Sequence, residues 1–486
     1  MSSDLLAPLD LAFWHLESAG HPMHLGALAR FDPAPGEAPD SAPGAAAGDA
    51  ASVLALLAER AAAIPRLRMR VRDVLLPVGG ARWSVDETFD VHRHVRHVRL
   101  PQDQDGDFAA AATRLAGELM ERPLARELPP WEMYLLTGTP GGPFAVLVKL
   151  HHALADGMRA VAIGAGIFDE IADARPRTTT TTTTVRRPRP ATPRSWLPGP
   201  WHVAGVAGAV RGRAEELGRA LGVGASVLGA SAVRAGRHDP HGTPALAAET
   251  SGTRRLATAE LDLEEVRRVR RVTGGTANDV LLAVVAGALR HWLLERGDPL
   301  PAADPCALVP VSRRRPGVRA GSGSGSPPDC GNRFSAYLLD LPLGDPDPLS
   351  RLAAVRRGMD RNKAAGPSRG PGAVAVLADQ LPPLAHRFGT PLAGGAARML
   401  FDLLVTNVPL PRSTLSLAGS PLRALYPMAP LARGQALAIA MSPYGGRVHT
   451  GLVADGRALP DLDRIAHALH TELAALVKAT DRSSGS

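Results

Sequence analysis

His151-His152-Ala153-Leu154-Ala155-Asp156-Gly157 is the stretch from which the rest of the chain is read. Residues 144–150 before it are a mostly apolar run that includes the β-branched Val146 and Val148; residues 158–168 after it are mostly small and apolar. This pattern predicts a strand, a tight loop and a helix. Successive side chains of a strand point to opposite faces, so one imidazole faces a cavity and the other faces the protein. Histidine has the proton affinity that base chemistry near neutral pH requires. Asp156 stands where a carboxylate caps the helix start or pairs with a buried cation. Gly157, lacking a Cβ, allows the backbone to turn or pack closely. As a bare pair the histidines fit surface or packing roles equally well. No metal is expected, because the spacing is not His-Glu-x-x-His and neither a Cys nor a third His stands nearby.

The chain has 486 residues, enough for one to three domains and a large core. Its 45% apolar and 21% charged content is that of a soluble globular protein. Two cysteines, Cys306 and Cys330, supply neither a disulfide framework nor a zinc spacing. The first ten residues lack a basic segment followed by an apolar run, so no secretion signal is expected. No uninterrupted apolar run reaches the roughly 18 residues of a membrane span. Residues 280–289 come closest and read as a buried helix segment. The net charge of +8 is concentrated between residues 185 and 240, where nine arginines face three acidic residues. A basic segment of this kind suits anionic lipid or nucleic acid. With 4% aromatic residues and no recognition motif, nucleic acid is not an expected partner.

Along the chain, a short amphipathic segment leads to a strand at residues 24–31, and residues 51–64 have helical spacing. Arg66, Arg68, Arg70 and Arg72 alternate with apolar residues. They predict a half-exposed strand whose basic face is available to phosphates. A helix is expected at 108–119 and a strand from Trp131. Seven consecutive threonines, 178–184, open an Arg/Pro-rich stretch with little to bury. The expected organisation is therefore a first lobe over 1–175, a basic low-complexity linker with amphipathic helices over 176–250, and a second lobe over 251–486. In the second lobe, Thr276 or Asn278 caps a buried helix, and a last amphipathic helix covers 461–478.

The full string HHxxxDG, set between strand and helix, resembles the active-site motif of the CoA-dependent acyltransferase superfamily. Other blocks, in order, are similar to the bacterial wax ester synthase/diacylglycerol acyltransferases. Residues 8–17 and 22–26 look like that family's PLDxxFxxxE and PMHxG. Pro123-Leu124 with Pro130-Trp131-Glu132, Asn278-Asp279, residues 308–314 (VPVSxR), Gly331-Asn332 and Thr406-Asn407-Val408-Pro409 follow. Two positions depart from the pattern. Leu410 stands where Gly is usual, and Pro443 interrupts the Ser-Tyr-x-Gly block around Ser442.

The resemblance implies an α/β (α+β) fold of two chloramphenicol-acetyltransferase-like lobes, each a mixed, mostly antiparallel sheet flanked by helices. An active-site tunnel would run between them. It implies His152 as the catalytic base, braced by His151, with Asp156 ordering the loop through Arg314 and Asn278 facing the oxyanion. Gly157 and Arg314 would support the motif. Glu17, Trp131, Asn332 and Ser442 are the substrate-binding candidates, although Trp131 reads equally as core. The implied reaction moves a long-chain acyl group from acyl-CoA, a substrate rather than a cofactor, to diacylglycerol or a long-chain alcohol. The expected location is cytoplasmic, at the periphery of the inner membrane or of lipid inclusions. Two alternatives remain open at this point: an acyltransferase whose acceptor is held by a carrier protein, and a lipid-surface binding protein without turnover.

Overall fold

The computed structural model describes residues 5–34, 49–75, 79–101, 107–171, 244–249, 251–312, 334–365, 401–411 and 413–484. Most of the expected 176–250 linker lies outside these residues. So do Arg314 and Asn332.

Helix α1 (Pro8–Leu16) precedes β1 (His24–Phe31), a central strand buried on both faces, with Leu28 in one core cluster and Ala29 and Phe31 in another. After α2 (Ala50–Ala63) come β2 (Met69–Asp73) and β3 (Ala81–Val85), a two-stranded ribbon separate from both large sheets. Next are β4 (Val95–Arg99), α3 (Phe108–Glu121), β5 (Trp131–Thr137), β6 (Phe144–His151), α4 (Gly157–Ile167) and β7 (Asp169–Ile171). The second half holds β8 (Arg254–Asp262), α5 (Leu263–Thr273), α6 (Ala277–Arg296), β9 (Cys306–Ser312), β10 (Phe334–Asp340) and α7 (Pro348–Ala365). It ends with β11 (Leu403–Asn407), β12 (Thr414–Leu417), β13 (Ser420–Met428), β14 (Leu437–Tyr444), β15 (Arg447–Asp455) and α8 (Leu462–Ser484).

These strands form two open mixed sheets flanked by helices, as expected. One sheet has the order β4-β5-β6-β1-β13-β12-β7 and the other β10-β9-β11-β14-β15-β8. Most neighbours are antiparallel; β4–β5, β9–β11 and β11–β14 are parallel. The halves are not segregated by sequence. β12 and β13, from the second half, complete the first sheet, with β13 antiparallel to β1 from Gly26 opposite Met428 onward. A boundary near residue 251 therefore divides the sequence but not the sheets.

Local chemistry accounts for the helix boundaries. Asp107 accepts from the amides of Ala109 and Ala110 and starts α3. Thr276 and Asp279 form a reciprocal capping box on α6, and Gly297, at φ 75°, ends it. The cap of α6 is thus Thr276, leaving Asn278 free for another role. At 20 residues, α6 is long and apolar enough to cross a membrane by length and composition, yet its first three turns are buried in the second lobe's core. On α6, Gly287 leaves room for the Glu472 side chain of α8, which pairs with Arg351 of α7 in a buried contact. The last turn of α3 is finished by the first sheet. Buried Lys149 donates to the Leu119 carbonyl at 2.9 Å, and His24 Nε2 donates to the Met120 carbonyl at 2.8 Å. Burial lowers the Lys149 ammonium to about 8.

A core cluster holds the inner faces of both sheets with α3, bringing together Leu28, Tyr134, Leu256, Tyr426 and Val453. The sheets come closest where β13 crosses β15. A Cβ on Gly451 would lie 2.0 Å from the Pro427 carbonyl oxygen, far inside van der Waals contact. Because that obstacle is backbone, it cannot rotate away. Gly451→Ala is therefore expected to destabilise the protein by at least the ~1–3 kcal/mol typical of overpacking. Urea unfolding of purified protein checks this; an unchanged midpoint would show that the sheets separate more freely than this contact implies.

Candidate active site

β6 ends at His151, and the chain then folds back on that residue. Ala153 N–H donates to His151 Nδ1 at 3.0 Å, and Leu154 N–H donates to the His151 carbonyl at 2.9 Å. An accepting Nδ1 places the ring proton of the neutral form on Nε2. That nitrogen faces Glu17 Oε2 across 3.6 Å, and the Trp14 ring meets the imidazole edge-on at 5.0 Å. His151 is fully buried. Burial raises the Glu17 carboxyl's proton affinity, but hydrogen bonding and charge from His151, with Arg126 at 3.5 Å, outweigh it and hold Glu17 below the usual carboxylate range. Glu17 also accepts from Met23 N–H at 3.3 Å, and the Met23 carbonyl accepts from His152 N–H at 2.8 Å. One carboxylate thus fixes the first histidine by its side chain and the second through one intervening residue.

His152 turns the other way, as strand alternation requires. Its ring stacks on Phe13 at 4.0 Å and 17°, and it forms part of the wall of a cavity of about 740 Å³. Burial pushes its pKa down to about 4, so the ring is neutral at pH 7 and able to take up a proton. Asp156 accepts from Arg159 N–H at 2.8 Å and so caps α4. Gly157 follows at the first helical position, where an added Cβ would sit 3.4 Å from Val408 Cγ2, an ordinary contact. Arg66 Nε reaches the Leu154 carbonyl at 3.4 Å, with its guanidinium over the Trp83 ring at 3.8 Å.

The cavity lies between the sheets. β1, β6 and α4 supply one side, and the start of α6, the end of β11 and the segment following β13 supply the other. Its walls are mostly aliphatic, suited to an acyl chain. Polar groups are few: His152, Asp156, Thr276, Asn278, Thr406, Asn407 and Ser442, with Lys363 at 3.4 Å from Asp360. Pro443 is accommodated in β14 because β11 ends at Asn407, opposite Met441, so the missing N–H falls beyond that ladder.

The structure brings together His152, Asp156, Gly157, Asn278 and Ser442 at this cavity, with His151 behind. It reassigns other expectations. Ser442 donates its hydroxyl proton to the Val408 carbonyl at 2.7 Å, so that proton is committed to holding the wall. Trp131 does not line the cavity. It is fully buried, donates to the Leu67 carbonyl at 2.6 Å and stacks on His94 at 4.6 Å. Glu17 is likewise behind the wall, where it positions the histidines rather than touching substrate. The basic strand face does not meet the cavity either. Arg66 braces the motif loop, and Arg70 turns to Asp86 at 3.8 Å. One residue was missed. Asn407 lines the cavity with a buried Oδ1, an acceptor that has no hydrogen-bond partner among the described residues. Its sequence signal was the Thr406-Asn407-Val408-Pro409 block, read as pattern rather than chemistry.

A neutral histidine in an aliphatic cavity between two mixed sheets, with carboxamides nearby, is an arrangement suited to general-base chemistry on an apolar substrate, as in an acyltransferase. The comparisons are specific. The family model for the wax ester synthase/diacylglycerol acyltransferase catalytic domain matches residues 6–281, and that for the family's C-terminal domain matches residues 330–477; the chain belongs to this family. It is 30% identical to a probable diacylglycerol O-acyltransferase of Mycobacterium tuberculosis, over 98% of this chain and 99% of that one. A second probable diacylglycerol O-acyltransferase of the same organism is 29% identical, over 98% and 96%. The fold is that of the wax ester synthase/diacylglycerol acyltransferase from Marinobacter aquaeolei, with TM-score 0.67 and 22% identity over 99% of this chain and 100% of that chain. It is also that of a trichothecene 15-O-acetyltransferase from Fusarium sporotrichioides, with TM-score 0.58 and 10% identity over 97% and 94%.

Two outcomes follow from this geometry. Glu17→Gln keeps an acceptor for Met23 N–H but loses the charge beside His151, whereas Glu17→Ala loses both. The alanine variant is expected to lower kcat more than the glutamine variant, with KM for acyl-CoA unchanged. A rise in KM without loss of kcat would return Glu17 to substrate contact. Stability is also expected to fall in mild acid. His152 and His24, lowered by burial to about 4 and about 3, stay neutral when folded, while the unfolded chain takes up protons below about pH 6.5. Their contribution is therefore complete above pH 6.5 and is lost as pH falls toward the folded values. Urea midpoints measured at pH 7 and pH 5 should show the decline, and a higher midpoint at pH 5 would contradict it.

Proposed function

We propose that the protein transfers a long-chain acyl group from acyl-CoA to diacylglycerol, a long-chain alcohol, or both, forming triacylglycerol or wax ester. The observation that carries this reading is the neutral His152 ring on the wall of the aliphatic cavity. A thioester is already activated, so the protein need not supply a nucleophile, and the chemistry calls for no cofactor. His152 takes the proton of the acceptor hydroxyl as its oxygen attacks the thioester carbonyl. The new C–O bond forms, the tetrahedral intermediate collapses with loss of the C–S bond, and the proton passes to the departing CoA thiolate. Asn278 stands on the same cavity as a donor for the developing oxyanion. Removing one such donor typically costs about 3 kcal/mol of transition-state stabilisation.

The names of the mycobacterial relatives favour diacylglycerol as acceptor, and the family's double name leaves room for an alcohol. Both acceptors are insoluble in water. This insolubility supports a peripheral seat at the inner membrane or on lipid inclusions; among the described residues, the one helix long and apolar enough to span a bilayer is mostly buried in the core.

The test is CoA release from palmitoyl-CoA with diacylglycerol and, separately, with hexadecanol. His152→Ala is expected to lose roughly 100- to 10,000-fold of the turnover, the range that general base catalysis supplies. Equal turnover in wild type and variant would exclude His152 as the base.

A further inference from the structure

The β2–β3 ribbon has one face committed to the protein. Val71 and Trp83 are in the first lobe's core, Leu6 N–H donates to the Ala81 carbonyl at 2.8 Å, and the His15 ring meets the Gly79 carbonyl at 3.2 Å. Arg70 is turned to Asp86 and the Glu127 carbonyl. The other face is different. Arg72 and Arg82 stand directly opposite each other in the antiparallel register, both exposed. Neither makes a side-chain hydrogen bond or ion pair with another described residue. Like charges in directly opposed positions destabilise a ribbon, and nothing in the described protein relieves this pair. Asp73 is next along the strand, but alternation sends its side chain to the opposite face. Asp86 is buried and already taken by Arg70.

Just beyond the arginines, where the ribbon turns, Leu75 is 89% exposed. Leu5, whose backbone bridges to Arg82, is also an exposed apolar residue beside this ribbon. Two unneutralised guanidiniums beside a projecting leucine match a surface with anionic oxygens outside and hydrocarbon beneath. The guanidinium fork suits phosphate oxygens, and an exposed leucine gains by leaving water. The ribbon's place in the fold supports this occupant. His15 touches the ribbon at Gly79, while Phe13, two residues earlier on α1, stacks on His152. One turn of helix therefore links the ribbon to the catalytic base.

We propose that the β2–β3 ribbon docks the enzyme on an anionic phospholipid surface, with Arg72 and Arg82 holding headgroup phosphates and Leu75 entering the acyl region. The inference rests on the reading of the acceptor as a lipid. Docking would bring the His152 cavity to the phase where that acceptor resides.

The test is flotation of the full-length protein with vesicles of phosphatidylcholine containing phosphatidylglycerol, and with phosphatidylcholine alone. Wild type is expected to prefer the anionic vesicles and to release from them as salt rises. Arg72→Gln and Arg82→Gln should each weaken partitioning about fivefold, the effect of one basic residue at such a surface. Leu75→Asp should weaken it on both compositions. Turnover with detergent-dispersed acceptor should stay at wild-type values in all three, and the thermal midpoint should not fall, since these side chains are exposed and each arginine variant relieves a like-charge contact. Variants that float as wild type does would overturn the proposal. So would arginine variants that float normally but raise KM for palmitoyl-CoA, because the pair would then belong to the CoA phosphates. Wild type that floats but turns over neither diacylglycerol nor hexadecanol would sink the acyltransfer reading while leaving the docking surface in place.

Discussion

The architecture depends on one backbone contact, the Pro427 carbonyl lying against the Cα of Gly451. At this point β13 of one sheet crosses β15 of the other with no side chain between. Sheets normally stack about 10 Å apart because side chains separate them. Removing the side chain at this point allows the two backbones to meet there. The cavity lies alongside, and Pro427 with the residues that follow it, Met428 to Pro430, forms part of its wall. The site is therefore a consequence of how the sheets join rather than of a channel through either one.

Within that frame, two adjacent residues of the same type acquire different chemistry. His151, inside the protein, has its Nδ1 filled by a backbone amide and its Nε2 aimed at a carboxylate. His152, one residue on, faces an aliphatic space that keeps it neutral. The difference is produced by strand alternation and burial, not by residue identity. Glu17 acts on both, by side chain toward His151 and through the Met23 peptide toward His152. A network tied by one carboxylate couples the orientation of the base to the seating of α1.

Much of this was legible in the sequence. The β1 boundaries follow from alternation, the start of α3 from the residues that favour it, and the motif loop from strand–loop–helix patterning. These are local signals, and local physics settles them. The exchange of β12 and β13 into the first sheet was not legible, because nothing local distinguishes a strand that stays with its neighbours from one that pairs with β1, some four hundred residues earlier. Trp131 and Glu17 were found as positions but given substrate contact, since a sequence does not show which side of a wall a side chain occupies. The same limit hid Asn407, whose importance lies in an unpartnered oxygen visible only once the cavity is drawn. The arginine run showed the opposite error. Alternation holds only for Arg70 and Arg72 in β2, because Arg66 and Arg68 lie in a 3-10 turn, Pro65–Arg68, and the face that matters is set by which arginines the protein already uses.

The strand exchange also bears on biosynthesis. β1 gains its second neighbour only when β13 has been made, so the first sheet keeps an unpaired edge beside the catalytic motif through most of translation. Until β13 has left the ribosome, the first sheet lacks the strand that carries Leu425, Pro427 and Met428, three residues of the cavity wall. The first sheet, and with it the wall of the site, is therefore completed only near the end of translation.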